Sequence, residues 1–134
     1  MDVVFLDANV LFSAAYRPKV GLRRLWVLES IELISSSYAI EEARRNLSEP
    51  AQRKRLDRLV DSIRIVPDLS ETERERLDLG RTGLPDKDLP ILAAAVAARA
   101  THLLTGDITH FGRLLGKEVA GVRVPTPAVY LRDR

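Results

Sequence analysis

The chain has 134 residues, 46% of them apolar and 30% charged, a balance that excludes a disordered or low-complexity polymer. It contains no cysteine, which rules out a disulfide framework, a thiolate zinc centre and a cysteine nucleophile together. With 21 basic against 19 acidic residues the net charge is only +2, so a polyanionic partner does not follow from charge alone.

The chain opens Met1-Asp2-Val3-Val4-Phe5-Leu6-Asp7, with a charge at position 2 and another after four apolar residues. That is not the basic start and apolar stretch of a secretory signal. No apolar run approaches the roughly 20 residues of a membrane span, and the longest, Ile91 to Ala98, has the length of a core helix. A cytoplasmic protein without membrane association is therefore expected, folded as one domain over residues 1–134.

Val3 to Leu6 reads as a buried parallel-type strand, with Asp7 and Asn9 directly after it at the start of a helical stretch. Leu22 to Leu28 has the apolar spacing of an amphipathic helix, and Glu32 to Ser35 is a short strand. A helix follows from Ser37 to Leu47, with Ile40, Ala43 and Leu47 on one stripe. Pro50 to Ile63 predicts another, with Arg53, Lys54, Arg55 and Arg58 on its outer face. Arg64 to Val66 is a strand, and Ser70 opens a polar helix with Glu73 in capping-box spacing. After the loop Thr82-Gly83-Leu84-Pro85, Asp88 stands at a helix start, because Pro90 belongs in a first turn. His102 to Thr105 is a strand ended by Gly106, and Val122 to Val124 is a last strand before Pro125 and Pro127. Strands alternating with helices predict an α/β sandwich around a mostly parallel sheet.

Open α/β sheets carry function beyond the carboxyl ends of their strands. Asp7 and Asp107 fall at two such ends. Asp88 begins the helix leading to the second of these strands, with Asp86 just before it. Glu41 and Glu42 lie in the first turns of the helix after Ser36. Acids gathered from separate regions suit metal-assisted phosphoryl transfer, since hard oxygen ligands hold Mg²⁺ or Mn²⁺. The ions then reverse the sign of a pocket that would otherwise repel a phosphodiester. Setting Asp7, Glu42, Asp88 and Asp107 aside leaves the rest of the chain clearly basic, as a nucleic-acid-cleaving protein requires.

Four segments in order, Phe5-Leu6-Asp7-Ala8-Asn9-Val10-Leu11, Ser36 with Glu42, Asp88-Leu89-Pro90-Ile91-Leu92-Ala93-Ala94-Ala95 and Leu103-Leu104-Thr105-Gly106-Asp107, resemble the PIN-domain ribonucleases. The length is similar to that of the VapC-like toxins of type II toxin–antitoxin pairs. The resemblance implies a three-layer α/β/α sandwich and endonucleolytic cleavage of RNA with Mg²⁺ or Mn²⁺ as cofactor. It also implies an antitoxin protein as partner and a homodimer. Asp7, Glu42, Asp88 and Asp107 match the family's catalytic, metal-binding acids, and Asn9 and Thr105 match polar positions lining the pocket. Asp86 is an additional acid next to this set.

Each of these residues also has a purely structural reading. Asp7 and Asp88 are good helix N-caps, and Asp107 is a good turn residue. Glu42 and Glu41 differ little in their angle to the buried stripe, and both suit a solvated face. His110, three residues after Asp107, suits a structural histidine or a contact to substrate or to a metal-bound water, and His102 a structural one. The arginine-rich face of Pro50 to Ile63 fits solvent better than RNA, because Asp57 and Asp61 interrupt it. Phe12, Tyr16, Leu22, Leu25 and Trp26 divide between core and partner surface.

Competing enzymes lack their residues. A haloacid-dehalogenase-like phosphatase needs a second Asp where Asn9 stands. A receiver domain needs a lysine at a strand end, and no nucleotide-binding glycine fingerprint occurs. The alternative from another class is a PIN-like module that binds RNA or protein without cutting.

Overall fold

The structure is a computed structural model that describes residues 1–132 and 134. Six strands form one sheet in the order β3-β2-β1-β4-β6-β5. β1 (Asp2–Leu6) lies in the middle, paired in parallel with β2 (Ile31–Ser36) on one side and β4 (His102–Leu104) on the other. β3 (Arg64–Val66) extends the sheet beyond β2. On the far edge β6 (Val122–Arg123) runs parallel to β4, and β5 (Glu118–Val119) pairs antiparallel to β6. The three-layer α/β/α arrangement with a mostly parallel sheet is thus present, with one antiparallel edge strand.

The central strands alternate their side chains between two cores. Phe5, Ile34 and Leu103 point to one face, where the apolar α5 (Leu89–Ala97) packs through Ile91, Leu92, Ala93, Ala94 and Ala95. Val4, Leu6, Leu33 and Leu104 point to the other. There they meet α1 (Ala8–Tyr16), α2 (Ser37–Asn46) and α3 (Pro50–Val60). Both faces of β1 are covered, so Val4, Phe5 and Leu6 are all fully buried. This explains why the strand reads as an unbroken apolar run rather than an alternating one.

Several helix ends are fixed by local chemistry. Ser36 Oγ accepts the Ala39 N–H and caps α2. Glu49 and Gln52 form a reciprocal capping box at α3, and Ser70 and Glu73 form the expected one at α4 (Glu71–Arg76). α5 ends with Arg99 in the left-handed region (φ 56°), its N–H bonded to Val96 O and that of Ala100 to Ala95 O. These two bonds occupy carbonyls that the helix end would leave open.

Two expectations are corrected, and two elements are added. Leu22 to Leu28 is not an α-helix: Gly21–Val27 is a 3₁₀ segment, and Leu22, Leu25 and Leu28 fit its three-residue period. α3 stops at Val60 rather than Ile63, because the chain must turn to enter β3 at Arg64. The edge strand β5 is an additional element, too short to show any periodicity. Pro127 does not merely end the last strand but opens α6 (Pro127–Arg132), where proline suits the first helical position.

No helix among the described residues is long and apolar enough to cross a membrane.

Candidate acidic site

β1 and β4 are adjacent and parallel, so the residues that follow them emerge side by side. β1 is also the strand at which the chain order reverses, with β2 to one side and β4 to the other, the usual location of a functional crevice. Asp7 follows β1 and is the N-cap of α1. Its Oδ1 accepts the Ala8 N–H at 2.7 Å, and its Oδ2 accepts the Thr105 hydroxyl at 2.7 Å and the Asn9 amide at 3.2 Å. The carboxyl is only 3% exposed.

Burial pushes the Asp7 carboxyl up to about 6, and the charges of Asp88 and Glu42 push in the same direction, against the hydrogen bonds from Thr105 and Ala8. Asp7 is therefore both a cap and a costly buried acid. The capping bond does not account for placing an ionisable group beside two further carboxylates.

Thr105 is fully buried and joins two of the acids. While its hydroxyl donates to Asp7, its oxygen accepts the Asp107 N–H at 3.0 Å. Asn9 spans the same gap, its amide oxygen accepting the Gly106 N–H at 2.9 Å. A Cβ at Gly106 would stand 3.5 Å from that oxygen, so the loop packs directly on Asn9.

Asp88 occupies the N-cap position of α5, yet its side chain makes no capping bond. It is 7% exposed, and burial raises its carboxyl despite the nearby His110 and Lys87. Its Oδ2, with Arg23 Nη2 and His110 Nδ1, is a buried side-chain atom without a hydrogen-bond partner among the described residues. Leaving a buried carboxylate oxygen unsatisfied costs about 1–3 kcal/mol or more. An arrangement of this kind is stable with a cation present. Asp107 closes the group: its Oδ1 accepts the His110 N–H at 2.9 Å, and Phe111 beside it is fully buried and anchors the turn.

Glu41 and Glu42 face different ways. Glu41 is exposed and lies 3.6 Å from Arg44 in an ion pair. Glu42 is half-buried and, with Ala8, Asn9, Phe12 and Asn46, lines a cavity of about 400 Å³ next to Asp7. Asp86 is not brought to the acids. It is exposed and lines a separate cavity of about 440 Å³, together with Glu71, Arg74, Glu75 and Asp78 around α4. The structure thus gathers Asp7, Asn9, Glu42, Asp88, Thr105, Asp107 and His110 and leaves Asp86 outside. Carboxylate oxygens gathered at one sheet edge are hard donors and fit a divalent cation such as Mg²⁺ or Mn²⁺.

Several of the other residues singled out in the sequence take structural roles. Arg53 Nε donates to Leu47 O at the end of α2, and Arg55 donates to Ala15 O and Tyr16 O at the end of α1. Both arginines bind the open carbonyls of helix ends. Leu25 is fully buried, and the Trp26 indole N–H bonds Leu59 O, which places both in the core. Tyr16 stays 46% exposed next to the Phe12 ring. His102 sits at the opposite end of the sheet, against Thr101 and the edge of the Tyr130 ring.

The family model for the PIN domain matches residues 3–109, and the chain belongs to the PIN-domain family. Its fold is shared with solved toxin–antitoxin structures. VapBC2 from Rickettsia felis, bound to a fragment of its promoter DNA, aligns with a TM-score of 0.70 at 19% identity, over 92% of this chain and 98% of that one. A toxin–antitoxin complex from Klebsiella pneumoniae aligns at 0.67 and 19% identity, over 92% and 97%. VapC20 from Mycobacterium tuberculosis, a toxin that cleaves the sarcin–ricin loop, aligns at 0.58 and 16% identity, over 81% and 95%. No curated protein matched the sequence.

Proposed function

We propose that this protein is a metal-dependent endoribonuclease and the toxin of a toxin–antitoxin pair. The observation that carries the reading is the buried carboxylate group itself. Asp7 and Asp88 are each more than nine-tenths buried and both raised by desolvation, and Asp88 Oδ2 makes no directed hydrogen bond among the described residues, with only His110 Nδ1 at 3.1 Å beside it. The desolvation cost of grouping such acids exceeds what one helix cap requires, and a bound cation would offset it. Family membership and the likeness to toxin chains support the rest.

Asp7, Glu42, Asp88 and Asp107 would hold Mg²⁺ or Mn²⁺. When bound, the ion supplies Lewis acidity to the phosphate and lowers the pKa of water. Thr105 and Asn9 hold Asp7 in one rotamer and fix the Gly106–Asp107 turn against it, so that the two strand ends keep their spacing. In the reaction a water oxygen adds to phosphorus while the bond to the 3′ oxygen breaks and that oxygen takes up a proton. The products carry 5′-phosphate and 3′-hydroxyl ends. The carboxylates read no base, so RNA selectivity belongs to residues outside them. The cytoplasmic location, the antitoxin partner and a homodimer form part of the same proposal.

The test is cleavage of end-labelled RNA by the purified protein and by Asp7→Asn. Fragments with 5′-phosphate ends from the wild type and none from a folded Asp7→Asn support the reading. Equal cleavage by both removes Asp7 from the chemistry. Metal binding without cleavage of any RNA favours the binding-module alternative.

A further inference from the structure

Asp107 and His110 are three residues apart on one turn, and Asp88 comes from the start of α5. His110 Nδ1 stands 2.8 Å from Asp107 Oδ2 and 3.1 Å from Asp88 Oδ2. One atom from each of the three side chains lies within 4.8 Å of the other two. These are ion-pair distances, yet among the described residues neither the buried Nδ1 nor the buried Asp88 Oδ2 makes a well-directed hydrogen bond. Three ligand-type side chains thus converge on one point.

Neighbouring ligands around an octahedral ion with bonds of about 2.1 Å stand about 3 Å apart. The separations at His110 have this size. The turn that carries the ring is also fixed: the His110 backbone N–H donates to Asp107 Oδ1, and the adjacent Phe111 is fully buried. The imidazole is therefore presented to the carboxylates by the same turn that positions Asp107. Asp7 contributes differently, since each of its oxygens already accepts a hydrogen bond.

We propose that His110 is a direct metal ligand, so that Asp88, Asp107 and His110 form a mixed oxygen–nitrogen site that selects Mn²⁺ over Mg²⁺. Imidazole nitrogen suits transition ions, whereas Mg²⁺ takes oxygen donors and gives up water reluctantly. The inference rests on the nuclease reading for the presence of a cation, and adds to it which ion is taken and through which atom.

The experiment is pulsed electron paramagnetic resonance of the full-length protein loaded with Mn²⁺, with its histidines labelled with ¹⁵N. The chain has two histidines, His102 and His110. The expected result is a coupling from directly bound imidazole nitrogen that persists in His102→Gln and disappears in His110→Ala. Mn²⁺ affinity should fall about tenfold or more in His110→Ala, with much less change in Mg²⁺ affinity. Mn²⁺ that binds the wild type, is lost in Asp88→Asn and shows no nitrogen coupling overturns the role of His110 and leaves the acidic metal site intact. Absence of Mn²⁺ binding in the wild type overturns both. A wild-type spectrum without nitrogen coupling overturns the proposal whatever the stability of the variants, and persistence of a coupling in His102→Gln assigns it to His110.

Discussion

The Thr105 hydroxyl donates to Asp7 Oδ2 at 2.7 Å and accepts the Asp107 N–H at 3.0 Å, so one buried side chain couples the acids at the ends of two neighbouring strands. Its hydrogen bond opposes the burial that raises Asp7. Thr105→Val keeps the shape and removes this donor. Asp7 should then titrate higher than in the wild type, and the lower limb of the cleavage pH profile should move toward higher pH. A stability loss of about 1–2 kcal/mol is expected from the unpaired groups, measured by denaturant unfolding.

Asp7 itself costs the metal-free protein stability at neutral pH. Its folded pKa of about 6 lies above the ordinary value of 3.8, so the native state binds more protons than the unfolded chain between these limits. Stability therefore falls as pH rises from about 4 to about 6, by about 3 kcal/mol for this group taken alone. Asp7→Asn should remove that slope and raise the melting temperature of the metal-free protein at pH 7. Thermal unfolding in EDTA at several pH values checks both. An unchanged slope would show that Asp7 is not the buried acid described above.

Divalent cations should have the opposite pH dependence. Asp7 must lose its proton to serve as a ligand, so Mn²⁺ affinity should rise through about pH 6 and level off above it. Binding to the native state alone adds stability, about 2.7 kcal/mol at a hundredfold excess over Kd. The melting temperature at pH 7.5 should rise with Mn²⁺ in the wild type and not in Asp88→Asn. Calorimetric titration at two pH values measures the affinity.

Arg55 distinguishes a structural arginine from an RNA-binding one. It donates to Ala15 O and Tyr16 O and holds α3 against the end of α1. Arg55→Ala should cost about 1–2 kcal/mol of stability, because Ala15 O loses its side-chain partner and Tyr16 O keeps only the longer bond from Gln52. RNA cleavage and its salt dependence should stay unchanged at a temperature where the variant is folded. A reduced salt slope would instead place Arg55 on a phosphate.

What the sequence made legible follows the range of the interactions involved. The unbroken run Val3 to Leu6 marked a strand buried on both faces, and Ser70 with Glu73 marked a helix start three residues long. Both signals are local. The order of acids after β1 and β4 was also readable, because strand ends in parallel sheets share one edge. Asp86 and Asp88 were not separable, since the turn that bonds Asp88 N–H to Pro85 O sends residues two apart in different directions. The choice between Glu41 and Glu42 depended on a few degrees of helix rotation, which packing against α1 decides. Arg53 and Arg55 looked like a solvent face because a helical wheel does not show that long side chains reach the ends of other helices. The approach of His110 to Asp88 spans 22 positions and depends on the α5 and Asp107 turns meeting, so no spacing rule displays it.

The central claim is that the buried acids exist to hold a cation that cuts RNA. The most direct measurement incubates the purified protein, freed of any bound partner, with a mixed RNA pool in Mn²⁺ and in EDTA, beside Asp88→Asn. The account predicts cleavage that needs both Mn²⁺ and an intact Asp88. Cleavage that persists in EDTA, or that Asp88→Asn performs as well as the wild type, would contradict it.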